Sequence, residues 1–306
     1  MRTTNTARSW QFISIVFGIV CVSVVSLAAK KAARPRVPQQ EASSVQHFAT
    51  AAEALERVLS TPAKVVAFGE YHQTTATTTI PSSLARFTIE LLPSVAKRAT
   101  DLVVETWVAD GHCGKEETKV VAEVETTTER PPETENEIVT LLKRAKATGI
   151  APHILTMSCK DYRRVTDRHG KTDFAKMLTL TRDRLQSEVG SWLQVAQSAS
   201  SARAPMVAVY GGALHNDLYP TPADRPYAFG RALFAKVGGQ FLEVDLFVPE
   251  YILGDKRMAA LPWFDLVKTG VQAGDALLVR RSERSYIIVF PLTQPSGCCG
   301  PAGPPR

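Results

Sequence analysis

The sequence predicts an α/β protein: a mainly parallel sheet flanked by helices, with a C-terminal hairpin and an acidic loop insertion. Three observations predict it. Short, near-continuous, β-branched runs recur along the chain, as strands covered on both faces require. Segments with helical spacing separate them, which implies right-handed βαβ crossovers. The last two apolar runs, 277–280 and 286–290, flank a polar turn and read as a closing hairpin.

The remaining strands are expected at 65–68, 102–105, 153–157, 206–210 and 241–248. Pro81 opens a helix with Leu84, Phe87, Leu91 and Val95 at helical spacing, which Pro93 kinks or splits. A second helix covers 137–148 and stops at Gly149. Phe174, Met177, Leu178, Thr181, Leu185, Val189 and Trp192 keep a three-to-four spacing, so 173–198 is a long amphipathic helix. A fourth covers 226–237 and ends at Gly238-Gly239. Residues 115–137 carry eight Glu against three Lys or Arg. Like charges repel and resist packing, so this stretch is expected as a solvated surface insertion, with a mobile lid over the site as the alternative.

The chain has 306 residues, 44% of them hydrophobic and 22% charged. Such a composition buries a sizeable core and excludes a wholly disordered chain, a collagen and a polytopic membrane protein. The net charge of +6 sits at the N-terminus: Arg2, Arg8, Lys30, Lys31, Arg34 and Arg36 precede the first acid. The other 30 basic residues face 30 acidic ones, which removes the electrostatic reason to expect a nucleic-acid partner.

Arg2 and Arg8 are followed by an apolar run over 12–27 and then by small residues, the order of an export signal. Residues 1–29 are therefore expected as a signal peptide or, through 10–29, as a membrane anchor, with the protein periplasmic or extracellular. Any membrane contact is expected through that segment alone. Residues 30–44 read as a linker, 45–294 as one α/β domain, and the Pro- and Gly-rich 295–306 as a disordered tail, with no role assigned to Cys298 and Cys299.

Ligands of an open parallel sheet bind beyond the carboxyl ends of its strands. There the sequence places Gly69-Glu70-Tyr71-His72, then Glu105-Thr106-Trp107 with His112 following, and Gly211-Gly212-Ala213-Leu214-His215-Asn216-Asp217. Glu70, His72, Glu105 and His215 thus converge on one edge and are the candidate catalytic residues. A His held by a carboxylate can take a proton from water. His72, Glu105 and His215 are also the right residue types to ligate Zn or Mn. Spacing leaves both chemistries open. The sequence holds neither a G-x-S-x-G nucleophile elbow nor a P-loop.

A strand followed by Gly69-Glu70-Tyr71-His72, a later strand ending in Glu105, and Gly212-Ala213-Leu214-His215 after a further strand resemble one superfamily. It joins the erythromycin esterases, the ChaN-type haem-binding lipoproteins and the Tiki/TraB proteins, and the resemblance spans about residues 60–250. It implies an α/β fold with the Glu/His cluster at the strand ends. The esterases activate water with His and Glu and no metal; Tiki-like members are metal-dependent peptidases; ChaN-like members bind haem. The small-residue stretch that separates Glu and His in the esterases is missing, so the resemblance carries no macrolide substrate. The expectation is an exported hydrolase acting on a small-molecule or peptide substrate, directly or through a divalent metal. The alternative is a non-catalytic haem- or metal-binding protein, with Tyr71, Tyr210 or a His as axial ligand.

Asp161, Arg163 and Arg164 follow the third strand and are expected in a solvated loop rather than on an anionic substrate. Glu243 and Asp245 share one face of the fifth strand, at an exposed edge or a polar site wall. Cys113 and Cys159 follow the second and third strands. If those strands are neighbours, the two cysteines are expected to form a disulfide, in keeping with export.

Overall fold

The computed structural model describes residues 35–40, 43–109, 113–198, 206–271 and 274–293. The expected signal or anchor, residues 30–34 and 41–42 of the linker, His112 and the C-terminal tail lie outside the described residues. Among the described residues, no helix is long and apolar enough to cross a membrane.

Eight strands form one sheet: β1 (Ser44–Phe48), β2 (Val65–Glu70), β3 (Asp101–Ala109), β4 (Ala151–Met157), β5 (Val207–Gly212), β6 (Phe241–Phe247), β7 (Ala276–Ser282) and β8 (Ser285–Val289). Their order is β1-β7-β8-β6-β2-β5-β3-β4. The block from β8 to β4 is parallel throughout. The closing hairpin β7–β8 is antiparallel, as expected, and β1 pairs antiparallel with β7. Strand β1 was not predicted, because its mostly polar, half-exposed sequence SVQHF lacks the apolar run of a central strand.

Alternation along the strands sorts the core into two layers. Val66, Phe68, Leu102, Val104, Ala208, Tyr210, Leu242 and Val244 pack on one face, with Leu55 and Val58 of helix Ala51–Leu59. Val65, Ala67, Val103, Val207, Val209 and Phe241 pack on the other, with Leu185, Val189 and Leu193 of helix Phe174–Ser198. The helix opened by Pro81 is broken as Pro93 requires. Pro93 has no N–H to continue the ladder, and Leu92 N–H reaches back five residues to Phe87 O, giving a π turn over Phe87–Leu91.

The acidic segment is not a loop. Lys115–Thr128 is a helix, and a second helix, Glu133–Ala147, begins four residues before the expected start at 137. Glu favours helices, and this one has something to bury: Val120 is 2% exposed. Its charge is also partly used. Glu123 Oε2 accepts a 2.5 Å hydrogen bond from Thr172 N, and Ser82 Oγ donates to Glu137 Oε2 at 2.5 Å. The turn between the helices uses Glu129 in the left-handed region (φ 50°) followed by Pro131-Pro132. Thr75 N donates to Glu129 O at 2.9 Å and pins this turn to the segment that follows β2.

Cys113 and Cys159 form the expected disulfide, with Cα atoms 5.1 Å apart. Strands β3 and β4 are neighbours, so the two following segments leave the sheet side by side. The bridge fixes the start of the helical insertion to the end of β4.

Candidate functional site

Three adjacent strands, β2, β5 and β3, carry the site. Glu70 is the last residue of β2, level with Gly212 of β5. Glu105 stands where the β3–β4 register shifts between Val104 and Trp107. Such a bulge frees a side chain from the ladder's alternation and re-aims it. Here it sends Glu105 across β5, where Oε2 accepts a 2.9 Å hydrogen bond from Gly212 N. Residue 211 has to be glycine for this crossing. A Cβ there would lie 2.4 Å from Glu105 Oε2 and 2.8 Å from Glu105 Cβ.

The four predicted residues form two carboxylate–histidine pairs. His72 Nδ1 lies 2.6 Å from Glu70 Oε1. Glu70 is buried, and its other oxygen accepts from the Tyr210 hydroxyl at 2.5 Å. Burial alone would push the Glu70 carboxyl up. The charges of His72 and Arg130, with the hydrogen bonds from His72 and Tyr210, outweigh it and hold the group at about 2. Glu70 is therefore an anion at neutral pH and holds the Nδ1–H tautomer of His72, which leaves Nε2 as the working nitrogen.

In the second pair His215 Nε2 lies 3.4 Å from Glu105 Oε1. His215 Nδ1 is 2.7 Å from the Tyr227 carbonyl. A carbonyl only accepts, so Nδ1 donates and Nε2 is the nitrogen that faces the carboxylate. His215 is buried at 3% exposure, whereas the His72 side chain is 32% exposed and that of Glu105 18%. The two pairs meet over Gly212. A Cβ on that glycine would lie 3.2 Å from His72 Nε2 and 3.9 Å from Glu105 Oε2.

Sequence reasoning missed Arg130. It stands at the turn between the two helices of the insertion, and its Nη2 is 2.8 Å from His72 Nε2, 2.6 Å from His72 Nδ1 and 3.4 Å from Glu70 Oε1. One signal was available: Arg130 is the only basic residue between 120 and 142. The insertion thus reaches the site through Arg130.

The metal and haem expectations meet different surroundings. Among the described residues, no three His, Cys, Asp or Glu side chains gather as a metal-binding group. The Arg130 guanidinium also puts a positive charge against the His72 nitrogens. The residues present do not fit a three-ligand centre of His72, Glu105 and His215. Tyr210 is buried and its hydroxyl serves Glu70. The Tyr71 hydroxyl bonds to Asp255 and accepts from Arg257 Nη2 at 2.7 Å, away from the two pairs. Neither tyrosine is placed as an open axial ligand.

Asp161 caps its own helix, Cys159–Arg164, through Ser158, and accepts from Arg184 Nη2 at 2.6 Å. Arg163 and Arg164 are exposed. Glu243 and Asp245 are on an interior strand, not at an edge. They share Arg281 with Asp217, at 3.1, 3.3 and 3.4 Å. Asn216 Nδ2 adds a 3.4 Å bond to Asp245 Oδ1 and a 3.1 Å bond to the Ala67 carbonyl. Burial, with the Asp217 charge adding and Arg281 opposing, pushes Asp245 up to about 7. Burial and its acidic neighbours push Glu243 well up, again against Arg281. This network ties the hairpin strand β7 to the segment that carries His215.

No family model matches the chain, and no curated protein does either. Among solved structures the chain is similar to the type III effector HopBA1, at 12% identity over 75% of this chain and 88% of that chain, with a TM-score of 0.37. A likeness that distant carries no argument about the site.

Proposed function

We propose that the chain is an exported hydrolase in which two carboxylate–histidine pairs divide acid–base work on water. The observation that carries the reading is the Glu70–His72 hydrogen bond of 2.6 Å, with His72 Nε2 directed at the strand end where Glu105 waits. His72 Nε2 takes a proton from water. The water oxygen bonds to the carbonyl carbon of an ester or amide, and the bond to the leaving oxygen or nitrogen breaks. The leaving atom takes a proton from the Glu105–His215 pair. The net reaction adds one water across the scissile bond, and exchange with solvent resets both pairs. Paired titratable groups in different settings, one half-buried histidine and one buried, suit a base and an acid in one site.

Export is supported by the N-terminal pattern and by the disulfide, which persists in oxidising compartments. The test is a panel of chromogenic esters and peptides, assayed with wild type, His72→Gln and Glu105→Gln. The reading expects hydrolysis that each substitution lowers about 10²–10⁴-fold, the usual worth of a positioned acid or base. Hydrolysis by neither wild type nor variants, or variants as active as wild type, sinks it.

A further inference from the structure

We propose that Arg130 is the anion receptor of this site, so that the substrate carries a carboxylate or phosphate group beside its scissile bond. The proposal rests on the hydrolase reading for its chemistry, while the binding it claims stands apart from turnover.

Arg130 Nη2 lies against both ring nitrogens of His72 and so covers the nitrogen that the reaction needs. Its contact with a carboxylate there is long. The nearest carboxylate oxygen, Glu70 Oε1, is 3.4 Å away and is already bonded to His72 at 2.6 Å, while Oε2 is taken by Tyr210 at 2.5 Å. No bidentate guanidinium–carboxylate pair forms, although that is the geometry in which arginine binds best. Among the described residues, Nη1 and Nε of Arg130 have no hydrogen-bond partner, and the side chain is 27% exposed. A planar fork with open donors at the mouth of a site matches one ligand chemistry, a two-oxygen anion.

The fold delivers this one cation to the site. Arg130 is the only cation between residues 120 and 142, in a tip otherwise rich in Glu. The tip is held in place by the Thr75–Glu129 backbone bond, so the guanidinium is delivered to the site by a fixed turn. An anion that takes both open donors draws Arg130 away from His72 and exposes Nε2. Binding the correct substrate then uncovers the base, and a neutral ester leaves it covered.

The experiment uses the full-length chain with ring-¹⁵N-labelled histidine. Inorganic phosphate and acetate are titrated separately, and the His72 ring resonances are followed in wild type, Arg130→Gln and Arg130→Lys. The proposal expects saturable shifts at His72 with at least one anion, weakened tenfold or more in Arg130→Gln and partly recovered in Arg130→Lys. Which anion binds separates the phosphate source from the carboxylate source. Thermal melts within a few degrees of wild type are expected for both variants, because Arg130 is partly exposed. His72 signals that neither anion moves, or equal binding in Arg130→Gln, overturn the proposal. On matched chromogenic esters, the kcat/KM ratio of the substrate bearing the anion that binds to its neutral counterpart is expected to fall at least tenfold in Arg130→Gln. An unchanged ratio in an active enzyme overturns the receptor and leaves the hydrolase reading standing. Anion binding without any turnover supports the receptor and removes the hydrolase.

Discussion

The Tyr210 hydroxyl donates a 2.5 Å hydrogen bond to Glu70 Oε2, joining the middle of β5 to the end of β2 beneath His72. Both groups are buried, so neither has water to replace the other. Tyr210→Phe leaves a buried carboxylate oxygen without its donor, which costs about 1–3 kcal/mol. Denaturant unfolding is expected to show that loss. Activity is expected to fall with it, because Glu70 then holds His72 less firmly. Unchanged stability would mean that water fills the gap.

Gly211 is predicted to be as demanding as the residues it serves. Alanine there collides with the Glu105 side chain at 2.4 and 2.8 Å. Gly211→Ala is expected to lower kcat by a factor similar to Glu105→Gln and to lower stability by about 1–3 kcal/mol, as overpacking does. The check compares turnover and melting temperature in the two variants. An active Gly211→Ala enzyme would separate Glu105 from the reaction.

His215 gives a less clean test than its sequence suggests. Read as a strand-end residue, His215→Ala is expected to abolish activity with the melting temperature held within a few degrees. The structure changes that expectation. His215 is 3% exposed and satisfies the Tyr227 carbonyl, so alanine leaves a cavity and an unpaired acceptor. A drop in melting temperature of several degrees is now expected, and Glu105→Gln is the better probe of the second pair.

Two buried acids set opposite pH slopes. Glu70 is held at about 2, below its ordinary 4.5, so its contribution is complete above pH 4.5 and is lost as pH falls toward 2. Asp245 is pushed up from 3.8 to about 7, so the folded chain holds a proton that the unfolded chain has released. Stability from this group therefore declines as pH rises from about 4 through 7. Asp245→Asn is expected to flatten that decline and to melt a few degrees above wild type at pH 8. Parallel melting curves over pH 5–8 would show that Arg281 keeps Asp245 ionised throughout.

The Cys113–Cys159 bridge closes a loop with a sequence separation of 46 residues. Loop-closure entropy for such a loop is worth about 4 kcal/mol, and measured effects are commonly about 2–4 kcal/mol. Cys113→Ser with Cys159→Ser is expected to lower unfolding free energy by that amount. Since the bridge anchors the insertion that carries Arg130, the same variant is expected to weaken anion binding. Full anion affinity in the double variant would show that the Thr75–Glu129 bond suffices.

The central strands, the long helix 174–198 and the hairpin were legible because burial on both faces writes continuous apolar runs and helical burial writes a period. That the four candidate residues gather at one place was legible because they end or closely follow such runs. Their pairing was not. That Glu70 rather than Glu105 holds His72 depends on register and on a bulge, and neither leaves a mark in one sequence. The acidic stretch was misjudged because charge density outweighed the helix propensity of Glu, and the burial of Val120 is visible only in the fold. Arg281 was missed because its partners, Glu243, Asp245 and Asp217, lie between 36 and 64 residues away.

Strand β5 lies between β2 and β3 although it follows both in the chain. During synthesis, Glu70, His72 and Glu105 therefore emerge on strands that no ladder joins until residues 207–212 arrive. At ribosomal speeds of about 5–20 residues per second, that gap lasts on the order of ten seconds. Throughout it the nascent chain has open strand edges and no working site. A sheet completed from its middle by a late strand cannot close early, so the order of the strands in the chain delays the site until most of the chain is made.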